Sequence, residues 1–143
     1  MLTNPTATPQ LARVFNGSDI NMTDDRFETI FKALANEQRL KIVYLLLFVD
    51  NRVTVSEFAF VFEDSQSNAS RQLKILKEAG LLEKQRDGRN TFYSIVSERD
   101  LFLNGVLESL AGIPRAFVQR EIDRCNYLVE VRDTELSPNR EAE

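Results

Sequence analysis

The chain of 143 residues contains no histidine, no tryptophan and a single cysteine, Cys125. Without histidine it lacks the usual general base near neutral pH and the commonest transition-metal ligand. One cysteine can neither close an intramolecular disulfide nor build a thiolate metal cluster. Apolar runs are short. The longest, Ile42 to Val49, has eight residues broken only by the Tyr44 hydroxyl, whereas a membrane-spanning helix needs about 20. The first residues, MLTNPTATPQ, show neither the basic nor the apolar region of a signal peptide. A cytoplasmic protein with no membrane contact is expected. Positive charge is not in excess either: 18 basic residues face 22 acidic ones, a formal charge of −4. That argues against a uniformly basic nucleic-acid binder but leaves room for a local basic face. No nucleophile–base pair, phosphate loop or ligand cluster is visible, so no catalytic residue, metal site or cofactor is expected and the chain reads as a non-enzyme.

What is present is an ordinary globular composition, 43% hydrophobic and 28% charged, at a length that suits one domain. Residues 1–22 have no apolar period and read as a flexible arm. Residues 133–143 are polar and read as a tail. Between them, residues 23–132 carry the periodic pattern.

Phe27, Ile30, Phe31 and Leu34 fall on one helical face behind Asp24 and Asp25. Asn36 caps a second helix through Leu40, Val43, Tyr44 and Leu47. Val53-Thr54-Val55 is a short alternating stretch. Ser56 is the expected cap of a third helix over Glu57 to Phe62. Ser65 or Ser67 caps a fourth, which runs to Ala79 and closes at Gly80. Leu82 to Arg86 and Thr91 to Val96 flank Asp87-Gly88, a strong hairpin signal. Ser97 is the expected cap of the next helix, with Leu103, Val106, Leu107 and Leu110 on one stripe. Gly112 and Pro114 break the pattern, and that bend is a candidate ligand pocket. A last helix shows Val118, Ile122, Cys125 and Val129 as a seam. The fold class is therefore mainly α with a small β-hairpin: a helix-turn-helix followed by a wing.

Three segments resemble one family in the right order. Phe31 to Val43 (FKALANEQRLKIV), Asp64 to Leu82 (DSQSNASRQLKILKEAGLL) and Arg86 to Tyr93 (RDGRNTFY) are similar to the opening, recognition helix and wing of ArsR/SmtB-type winged-helix repressors. The resemblance implies a homodimeric transcriptional regulator, most often a repressor released by an effector, that dimerises through its terminal helices. Metal-sensing members carry paired cysteines near the positions of Thr54 and Ser56, or His and carboxylate ligands on the helix after the wing. Here only lone acids such as Asp100 and Glu108 remain there, a poor set for a soft or borderline ion. Metal sensing through the usual Cys/His sites is not expected.

The charge distribution points the same way. Residues 65–96 hold six cations (Arg71, Lys74, Lys77, Lys84, Arg86, Arg89) and three acids (Glu78, Glu83, Asp87), a local +3 against −7 elsewhere. Gln66, Ser67, Asn68, Ser70, Arg71 and Lys74 line the outer face of the fourth helix. Gln and Asn can pair with adenine and Arg with guanine in a major groove. Gln66, Ser67 and Asn68 are otherwise simply a helix cap and first turn. Arg86 and Arg89 suit backbone or minor-groove contact; Asn90 does the same or holds the turn. Double-stranded DNA bearing an inverted repeat is the expected partner, beside an unidentified effector ligand or protein. The expected dimer surface is Phe27, Ile30, Phe31, Leu103, Val106, Leu107, Leu110, Val118, Ile122, Cys125 and Val129. The seam could instead pack within one subunit, with Cys125 as a small core residue. The rival function is a protein-interaction module on a winged-helix scaffold.

Overall fold

A computed structural model describes residues 25–136. The expected arm at 1–22 lies outside them, as do residues 137–143. Helix α1 (Arg26–Leu34) buries Ile30 and Ala33. In α2 (Glu37–Phe48) the Asn36 side chain accepts the Arg39 N–H at 3.0 Å and so caps the helix. Its residues Ile42 to Leu46 are all buried, which requires a helix enclosed on nearly every side. A two-residue strand β1 (Val53–Thr54) leads into α3 (Val55–Val61), a tight turn and α4 (Gln66–Glu78). Strands β2 (Leu82–Asp87) and β3 (Asn90–Ile95) form the hairpin. Then follow α5 (Leu101–Ser109), a 3-10 turn at Leu110–Gly112, a second at Arg115–Val118, and α6 (Gln119–Leu136).

Two caps differ from expectation. Thr54, not Ser56, starts α3: its hydroxyl accepts the Glu57 N–H while the Glu57 carboxylate accepts the Thr54 N–H, a reciprocal capping box. Asp100, not Ser97, starts α5 and accepts the Leu103 N–H at 2.9 Å. Ser97 instead donates to Glu83 across the hairpin end. The sheet also gains a third strand, in the antiparallel order β1-β3-β2, because Val53 pairs with Tyr93.

Two apolar cores lie on either side of α2. The main one gathers Ile42, Val43 and Leu46 with Phe58, Leu73, Leu76, Leu81, Leu103 and Leu107. The second gathers Tyr44 and Leu45 with Val61, Val118, Ile122 and Cys125. This corrects most of the expected dimer surface. Ile30, Leu103, Leu107, Leu110, Val118, Ile122 and Cys125 are all buried inside the protomer. An apolar stripe requires something to pack against, and here α1, α5 and α6 meet their own chain. Phe27, Val106 and Val129 stay half-buried, and Phe31 is 54% exposed.

The chain turns by 93° between α5 and α6. Ile113, at the bend, packs against both cores. Helix α6 is tied down by charge as well: Lys41 meets Glu121 at 3.0 Å, and Arg132 meets Asp50 at 2.7 Å as well as Glu57. It continues through Asp133 to Leu136, the first residues of the expected tail. No single helix among the described residues is long and apolar enough to cross a membrane.

Candidate nucleic-acid interface

The expected DNA residues lie on α4 and on the wing. Ser65 caps α4, its hydroxyl accepting the Asn68 N–H at 3.1 Å. Inward, α4 presents Ala69, Leu73 and Leu76 to the main core. Outward, Gln66, Ser67, Ser70, Arg71 and Lys74 are exposed. Gly80 ends the helix at φ +88°. Its N–H reaches Lys77 O and the Leu81 N–H reaches Leu76 O, a paired C-terminal closure that only a left-handed residue permits.

The outward side chains are not equivalent. The Asn68 amide nitrogen donates to Asp64 Oδ2, the oxygen that also accepts Gln38 Nε2 at 3.1 Å. One of the two Asn68 amide hydrogens therefore braces the turn. These two amides, then the Ser65 N–H, hold the Asp64 carboxyl below its ordinary range. Ser67 shares a hydroxyl hydrogen bond with Ser65 at 3.2 Å. Lys74 stands 3.9 Å from Glu78, both well exposed, a pairing that contributes little. Gln66, Ser70 and Arg71 make no side-chain hydrogen bond among the described residues. They form an uncommitted polar face near the start of the helix.

On the wing, Gly88 takes φ +63° in a two-residue loop with Arg89, the backbone such a loop favours at its first position. Arg86, Arg89 and Asn90 are exposed. Among the described residues the Arg86 side chain reaches only Gly88 O, at 3.4 Å. Asn90 is the first residue of β3, opposite Asp87.

Two arginines escaped the sequence reading. Arg52, just before β1, lies 4.1 Å over the Phe92 ring and 3.4 Å from Asp87, adding a cation to the wing and offsetting its acid. It precedes the basic segment in sequence, and only the pairing of β1 with β3 brings it there. Arg39 donates to Ala33 O at 2.7 Å and to Gln72 Oε1 at 2.8 Å, so it joins α1 and α2 to α4. Its position within the first resembling motif was a visible signal; its partners were not.

Two open clefts flank this region. One of about 270 Å³ lies between Lys32, Arg39 and Glu78. The other, about 380 Å³, is lined by Gln38, Lys41, Phe62, Asp64 and Glu121. Among the described residues no group of three or more His, Cys, Asp or Glu side chains is arranged to hold a metal ion.

Comparison with known proteins gives this geometry a family. The model of the bacterial regulatory proteins of the arsR family matches residues 36–84, from the α2 cap to β2. The arsenical resistance operon repressor of Bacillus subtilis is 37% identical over 82 residues, 57% of this chain and 74% of that protein. A cadmium resistance regulatory protein CadC homolog of Staphylococcus aureus is 33% identical over 69 residues, 48% of this chain, and the match spans just over half, 56%, of that relative's length. The fold is shared with the homodimeric winged helix-turn-helix DNA-binding domain of a possible ArsR-family regulator from Mycobacterium bovis, at 24% identity and a TM-score of 0.52 over 78% of this chain and 85% of that one. With a recognition helix and wing in place and this identity across most of the arsenical repressor, the chain belongs to the arsR family of bacterial regulatory proteins.

Proposed function

We propose that this protein is a homodimeric, sequence-specific transcriptional repressor that acts in the cytoplasm on an inverted-repeat DNA site. The observation that carries this reading is the exposed, uncommitted face of Gln66, Ser70 and Arg71 on α4, together with the exposed Arg86 and Arg89 of the wing. The amide of Gln66 can read adenine, the guanidinium of Arg71 can read guanine, and Arg52, Arg86 and Arg89 can hold phosphates. The −7 remainder of the chain limits indiscriminate binding.

Where a signal releases it, that signal is a small organic ligand or a partner protein rather than a thiophilic ion. The arsenical and cadmium relatives bear the names of thiophilic elements, but this chain offers one buried cysteine and no histidine. Soft ions need several thiolates or imidazoles.

Gel shifts of genomic fragments at low salt test the reading. The wild-type protein is expected to shift a small subset of fragments. Arg71→Ala should lose about 1–3 kcal/mol of discrimination between that subset and mixed sequence. A protein that shifts no fragment even at low salt would overturn it.

A further inference from the structure

The turn that introduces α4 is acidic where a DNA-reading helix should welcome phosphate. Glu63 and Asp64 directly precede the Ser65 cap, yet the amides and dipole of a helix N-terminus favour anionic ligands there. Asp64 is turned to structural use by Gln38, Asn68 and the Ser65 N–H. Glu63 is not. Its side chain is 54% exposed, and its backbone sits at φ +51°.

Two guanidinium groups from α6 meet the Glu63 carboxylate. Arg124 pairs with one oxygen, also donates to Val61 O at 3.3 Å, and is only 24% exposed. It is fixed. Arg120 donates to the other oxygen at 2.9 Å, is 73% exposed and has no second partner among the described residues. An exposed pair of this kind contributes at most about 1 kcal/mol, so Arg120 can exchange Glu63 for another anion. With Asp64 ionised as well, two guanidinium groups against two carboxylates bring a local −2 to neutrality beside the recognition helix.

We propose that the start of α6 is part of the DNA-binding surface: Arg124 and Arg120 cancel the acidic turn, and Arg120 contacts a backbone phosphate flanking the bases that α4 reads. The planar fork of arginine suits a phosphate. Both residues lie beyond the 36–84 span of the family model, so this contact extends the interface past the shared motif. It rests on the DNA-binding reading above.

The test uses the full chain, a mixed-sequence duplex and a genomic fragment that the wild type shifts, with affinity measured across a salt series. Arg120→Ala should fold like the wild type and bind both duplexes several-fold more weakly at low salt. Its slope of log affinity against log salt should be shallower by about 0.9, one phosphate's worth. The ratio between the two duplexes should not change. Glu63→Gln should move the other way and tighten binding to both, because it releases the arginines and removes a repelling charge. A merely structural ion pair would leave the salt slope untouched and make neither variant bind better. The proposal is overturned if Arg120→Ala keeps the wild-type affinity and slope while Arg71→Ala weakens specific binding. A wild type that binds neither duplex brings down the DNA-binding reading itself.

Discussion

Cys125 lies at 2% exposure in the second core, with Ile122 and Tyr44 as fellow members. Burial, then the nearby Asp50 carboxylate, pushes its thiol up to about 12. Against an ordinary value of about 8.5, that leaves about three orders of magnitude less thiolate at pH 8. Cys125 should therefore resist iodoacetamide in the native protein and react at the normal rate once unfolded in urea; fast native alkylation would contradict this burial. The native thiol keeps its proton over a range in which the unfolded thiol has lost it, so this residue's contribution to stability is full below about pH 8.5. It is lost as pH rises toward about 12. The sequence supported the core reading of Cys125 because its neighbours on the helix are apolar. It could not show that Asn68 would turn back to Asp64, or that Arg39 would span to Gln72. Such partners are set by distant segments, and no local period encodes them.

Helix ends show the same division. Gly80 was legible as a stop because the position needs a left-handed backbone, and it has φ +88°. A Cβ built there meets nothing within 4 Å. The cost of Gly80→Ala is therefore purely conformational, about 1–2 kcal/mol, read as a lower urea midpoint with an unchanged m-value. Thr54→Ala removes one half of the capping box and should cost about 1 kcal/mol, whereas Ser56→Ala should be nearly neutral. The reverse result would restore Ser56 as the cap. Long helices were legible from their 3.6-residue period. Strand β1 was not, because two residues carry no period and its pairing partner lies about forty positions away at Tyr93. The start of α5 was misplaced for a related reason: a serine and an aspartate three residues apart are both good caps. The choice between them depends on where β3 releases the chain.

Across the whole molecule, the sequence showed more apolar stripes than one small domain needs and implied that the surplus served a second subunit. The protomer absorbs most of them through the 93° turn that folds α6 onto α2 and α3. What stays outside is a smaller surface where α1 meets α5. Phe31 and Phe27 stand edge-on to Phe102 at 5.7 and 4.7 Å. Leu101, next to Phe102 in sequence, is exposed, and Arg26 lies over the Phe27 ring at 4.8 Å. If the homodimer forms through the terminal helices, this aromatic cluster is its natural centre, since aromatic anchors dominate such contacts. Phe31→Glu tests it. The ring already stands half in solvent, so the substitution should spare the fold of the protomer. In a dimer it would bury an unpaired charge, at a cost of several kcal/mol. Sedimentation should then report the 16.4 kDa chain in place of a species of twice that mass, and affinity for an inverted repeat should fall to that of a half-site. Phe60 and Tyr127 form the other exposed aromatic pair, stacked at 5.8 Å where α3 meets α6. Tyr127→Glu should leave the dimer intact. If Tyr127→Glu yields the monomer and Phe31→Glu does not, the two-fold axis runs beside α6, and α1 and α5 face solvent.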